Sequence, residues 1–171
     1  MLPFGHIGIN FIVINSLSRI NTKRKVLYLL VGSMLPDIID KPLGFIIFGG
    51  FGNGRLIAHT LIFNISLLLV LIILSIKKNK RDILIIPAAS FLHLIEDEMW
   101  KFPKILFYPF LGEIPLKPVI PLEERLRRIL LAYTNTKILV ADIIGAIVII
   151  IMIYKMLDNV AESCQNLNRK S

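Results

Sequence analysis

The sequence predicts an all-α fold, an integral membrane bundle of about five helices with a polar, metal-type site at one end. Three features predict it. Hydrophobic residues fill 55% of the 171 positions and the mean hydropathy is +0.71, too apolar for an ordinary soluble domain. Uncharged runs recur at Met1–Ser18, Val26–Pro36, Leu56–Ile76 and Ile83–Ile95, and again from Ile138 to Tyr154 with Asp142 as the one interruption. The imidazoles and several carboxylates fall at the ends of these runs.

The runs predict helices over about 5–20, 26–40, 56–76, 83–100 and 138–157. A helix needs about 20 apolar residues to cross a bilayer. The third reaches that length, and the fifth nearly does if Asp142 and Lys155 sit at its ends. The shorter ones are expected to tilt, to lie partly at the interface, or to pack inside. The first run lacks the leading positive charge and small-residue cleavage site of a signal peptide, so it is expected to be the first helix itself. The second closes on "GSMLPDIIDKP", where the ring of Pro36 is expected to break or kink it. The third opens with "GRLIAHTLIF" after the Gly-rich "GGFGNG", and the fourth ends in "FLHLIEDEMW" with Trp100 as an interfacial anchor. Between the fourth and fifth, "LEERLRRILLAY" repeats apolar residues at Leu122, Leu126, Ile129, Leu130 and Tyr133, the spacing of an amphipathic helix on lipid headgroups. Residues 1–158 are thus expected to form one membrane-embedded domain and residues 159–171 a polar tail; the lone Cys164 of that tail excludes an intrachain disulfide.

The net charge of +8 raises the question of nucleic acid. The basic residues flank apolar runs without interleaved aromatics, which points to anchoring at a lipid surface and away from nucleic acid. By the positive-inside rule the short basic loops "RINTKRK" and "KKNKR" are both expected to face the cytoplasm.

Successive spanning helices reverse direction. His6 opens the first, Asp37 and Asp40 close the second, and His59 opens the third; His93 and Asp97 come late in the fourth and Asp142 early in the fifth. All therefore fall at one end, opposite the two basic loops, and all three histidines of the chain are among them. His93 and Asp97, four apart, share a helix face. Imidazole with carboxylate suits zinc, manganese or iron, and the set suffices for one ion or for two sharing a carboxylate. Each residue also has a plain structural reading. A single buried His is ordinarily a hydrogen-bonded core residue, Asp40 a helix end, Asp142 the start of its helix, and Glu96 and Glu98 a solvated terminus. "GGFGNGR" lacks the Lys-Ser/Thr of a P-loop, yet its backbone N–H groups beside Arg55 suit a phosphate. Jointly the set outweighs its members, because ionisable groups within a membrane are costly without partners.

"GHIGIN", "GSMLPDIIDKPLG", "GRLIAHT" and "FLHLIEDEMW" followed by "FYPFLG" resemble, in order, the motifs of the membrane-bound metal-dependent hydrolases. These are also described as inner-membrane-associated hydrolases, some of them labelled LexA-binding. The resemblance covers roughly residues 5–112 and implies His6, Asp37, Asp40, His59, His93 and Asp97 as ligands, with Arg55 beside them for an anionic group. A looser likeness is to the helical zinc-dependent phospholipase C proteins. Many relatives place the second acidic residue two after the first; here Asp37 and Asp40 are three apart.

The expected function is hydrolysis at the outer face of the membrane by a water activated on a divalent metal, zinc before manganese or iron. His6, Asp37, His59, His93 and Asp97 would ligate, Asp40 or Glu96 would take the proton, and Arg55 would neutralise developing charge. A lipid or lipid-linked phosphoester entering sideways from the bilayer fits the location, with amide and acyl ester bonds also open. The alternative from another class is a non-catalytic adaptor whose metal or ion-pair cluster clamps the helices. An ion pathway ranks last, since Asn64, Ser66 and little else that is polar occupy the middle of the third helix.

Overall fold

The computed structural model describes residues 3–46, 54–115 and 121–168, and among these it is helical with no strand. The helices are α1 (Pro3–Leu17), α2 (Lys23–Ile46), α3 (Leu61–Lys78), α4 (Ile85–Glu96), the single-turn α5 (Pro103–Leu106), α6 (Leu122–Ala132) and α7 (Thr136–Asn168). Most of the Gly-rich stretch before Arg55 lies outside the described residues.

Four boundaries differ from expectation. Helix α2 does not stop near residue 40 but continues through Pro36 and Pro42. The fixed φ of proline is helix-compatible; its cost is a lost rung and crowding of the carbonyls one turn back. One carbonyl of that turn, Ser33 O, accepts from His93 Nδ1 at 2.8 Å. Helix α3 starts later, because Thr60 is its N-cap and accepts from Phe63 N with its hydroxyl. His59 consequently sits just ahead of the helix. Helix α4 ends at Glu96, and Glu98 adopts a left-handed φ of 51° that turns the chain into a short 3-10 turn, Met99–Lys101. Helix α7 runs on through Asn168, past the expected start of the tail. The segment "KMLDNVAESCQNLN" contains neither Gly nor Pro, so no strong stop signal ends the helix there.

Helix α4 lies against α1, α2 and α3, and α1 against α2 and α7. Ile14, Leu29, Ile85 and Ala89 form the apolar core where α1, α2 and α4 meet. At the basic end Arg24 and Lys25 pair with Asp82 at 2.6 and 3.8 Å, bringing the two short loops side by side. The polar set occupies the other end. Buried polar residues, from His6 and Asn10 to Asp142, are as numerous as buried apolar ones among the described residues, while the isoleucines, leucines and valines of α3 and α7 are largely exposed. Water-soluble folds arrange these the other way round. Helix α3 is long and apolar enough to cross a membrane and only 17% of its most apolar window is buried; Pro3–Leu17 and Ile138–Tyr154 are shorter apolar helices.

Helices α1 and α7 touch backbone to backbone. A Cβ added at Gly8 would lie 2.2 Å from Gly145 Cα, and one at Gly145 would lie 2.0 Å from Phe4 O. Beside this contact Asp142 Oδ1 accepts from Gly5 N at 2.9 Å, and Tyr133 donates its hydroxyl to Asp142 Oδ2 at 3.3 Å. Asp142 therefore anchors the start of α1 from across the helix pair. Gly8→Ala and Gly145→Ala are each expected to destabilise the protein by about 1–3 kcal/mol, the usual cost of overpacking, seen as a lower thermal midpoint in detergent. Ile147→Ala, at an exposed position of the same helix, is expected to leave the midpoint nearly unchanged.

Candidate metal centre

The three imidazoles come from α1, from the turn before α3, and from α4. His6 and His93 stack with ring centroids 4.2 Å apart and planes inclined by 23°, and His59 meets His93 edge-on at 5.3 Å. All three are fully buried. The shared depth inferred from helix alternation is thus present in the fold.

Each ring is tethered through Nδ1. His93 Nδ1 donates to Ser33 O at 2.8 Å, His59 Nδ1 pairs with Asp40 Oδ2 at 2.7 Å, and His6 Nδ1 pairs with Glu96 Oε2. A carbonyl only accepts, so Nδ1 of His93 carries a proton and its Nε2, when the ring is neutral, a lone pair. The carboxylate of Asp40 imposes the same tautomer on His59. The Nε2 atoms of His59 and His93 face each other at 3.4 Å. Two lone pairs at that distance repel unless something positive sits between them. Two nitrogens on a tetrahedral ion with bonds of about 2.0–2.1 Å stand roughly 3.3–3.4 Å apart. A carboxylate or carbonyl behind a ligating imidazole is also the usual second layer of a metal site.

The acidic residues close the cup. His6 Nε2 lies 3.4 Å from Asp97 Oδ1; His59 Nε2 lies 3.8 Å from Asp37 Oδ1 and 3.9 Å from Asp97 Oδ2; His93 Nε2 lies 4.0 Å from Asp37 Oδ1. Two donor triads result, His6–His93–Asp97 and Asp37–His59–His93, each with its ligand atoms within 4.8 Å of one another. One imidazole nitrogen serves one ion, and His93 belongs to both triads. The donor set fits a divalent ion of the zinc, manganese or iron type.

Two expected roles change. Asp40, expected to take a proton, accepts from Leu56 N at 2.6 Å, Ala58 N at 2.9 Å and His59 N at 3.1 Å in addition to the His59 ring. With no exposed surface and its acceptor positions occupied, Asp40 shapes the turn that presents His59. Glu96, the other expected proton acceptor, has its Oε1 buried with no hydrogen-bond partner among the described residues. Arg55 is engaged from one side: its Nε and a terminal nitrogen bond Asp97 Oδ2 at 2.9 and 2.8 Å, and its guanidinium lies 4.9 Å over the Phe102 ring. Asp142 stays out of the cup, serving the α1 start.

The sequence reading missed three contributors. Ser33 acts through its backbone, which no side-chain pattern announces. Lys41 pairs with Asp37 Oδ2 at 2.7 Å, and its spacing of four from Asp37 was a usable signal. Asn64, fully buried near the start of α3, donates to Ala58 O and Thr60 O and accepts from Ser90 Oγ, locking the His59 turn onto α4.

The family model described as YdjM inner membrane protein matches residues 1–161. No curated protein and no solved structure matches the chain.

Replacing Asp40 by Ala strands the buried N–H groups of Leu56, Ala58 and His59. At about 1–3 kcal/mol for each stranded donor, Asp40→Ala is expected to lower the thermal midpoint severely. Asp40→Asn, which keeps one acceptor oxygen, is expected to fall between it and the wild type.

Proposed function

The chain belongs to the YdjM inner membrane protein family, and on that footing we propose that it is a multi-pass membrane hydrolase built around one divalent ion. The observation that carries this reading is the pair of Nε2 atoms of His59 and His93 facing each other at 3.4 Å. Residues 1–158 form its single membrane-embedded domain, with α1, α2, α3, α4 and α7 spanning and their exposed aliphatic faces toward lipid.

His6, His59 and His93 would hold the ion through their rings, and Asp37 and Asp97 through their carboxylates. When bound, the ion would supply Lewis acidity, polarising the scissile bond and lowering the pKa of a water towards about 7. Zinc is the leading candidate. Ser33 O, Asp40 and Glu96 orient the rings. Glu96 would also take a proton from an attacking water; its Oε1 is buried and has no hydrogen-bond partner among the described residues. The substrate is an ester or phosphoester, reached from the outer leaflet, since the cup lies at the end opposite the basic loops.

A second reading is a non-catalytic clamp that holds the helices together. Its support is that Arg55 and Lys41 already pair with Asp97 and Asp37.

The wild type purified without chelators is expected to carry about one divalent ion per chain by elemental analysis, and His59→Ala and Asp97→Ala to carry far less. A metal-free wild type would remove the enzymatic reading. On the same samples, hydrolysis of a phosphodiester and ester panel by the wild type, lost in Glu96→Gln with metal retained, favours the enzyme over the clamp. In a Cys164→Ser background, Glu98→Cys is expected to react with an impermeant thiol reagent on intact cells and Asn79→Cys only after lysis. The reverse pattern would put the cup on the cytoplasmic side.

A further inference from the structure

The two carboxylates of the cup share a division of labour. Asp37 turns Oδ1 toward the imidazoles and Oδ2 toward Lys41 Nζ at 2.7 Å. Asp97 turns Oδ1 toward His6 Nε2 and Oδ2 toward Arg55 at 2.8 Å. The site is therefore layered, with buried rings innermost, carboxylates next, and two cations outermost. The cations are the accessible layer: the Lys41 side chain is 57% exposed and that of Arg55 29%, against 11% and 7% for the carboxylates they hold. They are also neighbours, since the Lys41 stem passes Gly54, where a Cβ would lie 3.8 Å from Lys41 Cγ, and Gly54 adjoins Arg55. Phe102 under the guanidinium fixes its plane.

From this layering we infer that Lys41 and Arg55 together form a receptor for a phosphate group at the mouth of the metal cup, so that the substrate class is a phosphoester. The inference rests on the metal reading above and deepens it. Lys41 and Arg55 are each matched by one carboxylate, Asp37 and Asp97. A divalent ion on the inner oxygens would draw the charge of those two carboxylates inward and leave the two outer cations less neutralised, so the mouth would favour an anion. Arg offers a planar fork of donors and Lys a mobile point charge, the pair of donors that phosphate recognition commonly uses. Binding of the anion is thus linked to binding of the ion. The phosphate can come from a lipid headgroup or from solution, and both present the same oxygens to the two cations.

The test uses the full chain in detergent, as metal-loaded and as chelator-stripped protein, titrated calorimetrically with inorganic phosphate. The metal-loaded wild type is expected to bind phosphate and the stripped protein to bind it at least about tenfold more weakly. Lys41→Gln is expected to keep its metal by elemental analysis yet lose roughly tenfold in phosphate affinity, the scale of one charge-assisted contact. Lys41→Arg is expected to restore most of it. Because Lys41 is exposed, these variants do not threaten the fold. A second arm replaces inorganic phosphate by phosphatidic acid in the micelle. Tighter binding there assigns the receptor to lipid headgroups, and equal binding assigns it to phosphate in general. Phosphate affinity that is the same in Lys41→Gln, or the same with and without metal, would overturn the inference while leaving the metal centre standing. A wild type that holds no metal would remove the centre as well.

Discussion

Everything at the polar end depends on the fixing of three imidazoles by their Nδ1 atoms. A free imidazole chooses between two tautomers and many rotations. Ser33 O and Asp40 remove that choice for His93 and His59, and Glu96 holds His6. The result is three Nε2 atoms aimed at shared space, and for the neutral rings of His59 and His93 two lone pairs face each other, an arrangement that is unfavourable when nothing positive lies between them. The rest of the molecule can be understood as the frame that keeps those partners in place: α2 carries Ser33 past Pro36, the turn around Asp40 presents His59, and Asn64 with Ser90 binds that turn to α4.

The surrounding architecture inverts the usual relation between inside and outside. Fully buried positions hold Asn10, Ser33, Asp40, Asn64, Ser90 and all three histidines, whereas the aliphatic side chains of α3 and α7 are directed outward. In hydrocarbon the outward face costs nothing, while every inward polar group needs a partner, since an unmatched one loses its hydration without return. The dense hydrogen bonding of Asp40 and Asn64 is what such an environment demands. The apolar core of Ile14, Leu29, Ile85 and Ala89 separates the polar cup from the basic end.

Much of this was legible in the sequence, for reasons that can be named. The reversal of successive helices brought His6, Asp37, Asp40, His59, His93 and Asp97 to one end before any coordinates were needed, because that deduction uses only the alternation of apolar runs. The chain's all-helical character followed from the same runs. Helix ends were less legible. The Pro36 ring suggested a break, but a long helix tolerates proline when the carbonyls of the preceding turn find other partners, as Ser33 O does in His93. The division between ligands and orienters was not legible at all. Asp37 and Asp40 look alike in "PDIID", and only the backbone N–H groups of Leu56, Ala58 and His59 tell them apart. Arg55 likewise read as an open cation, since nothing in the chain order places it on Asp97.

The bond from Asp142 to Gly5 joins positions 137 residues apart, and it lies beside the tight glycine contact of α1 with α7. Gly5 precedes His6, so the ring that completes one donor triad is held in register by α7. A change that loosened the seam between α1 and α7 would thereby be felt at the imidazole of His6, and not only where the two helices touch.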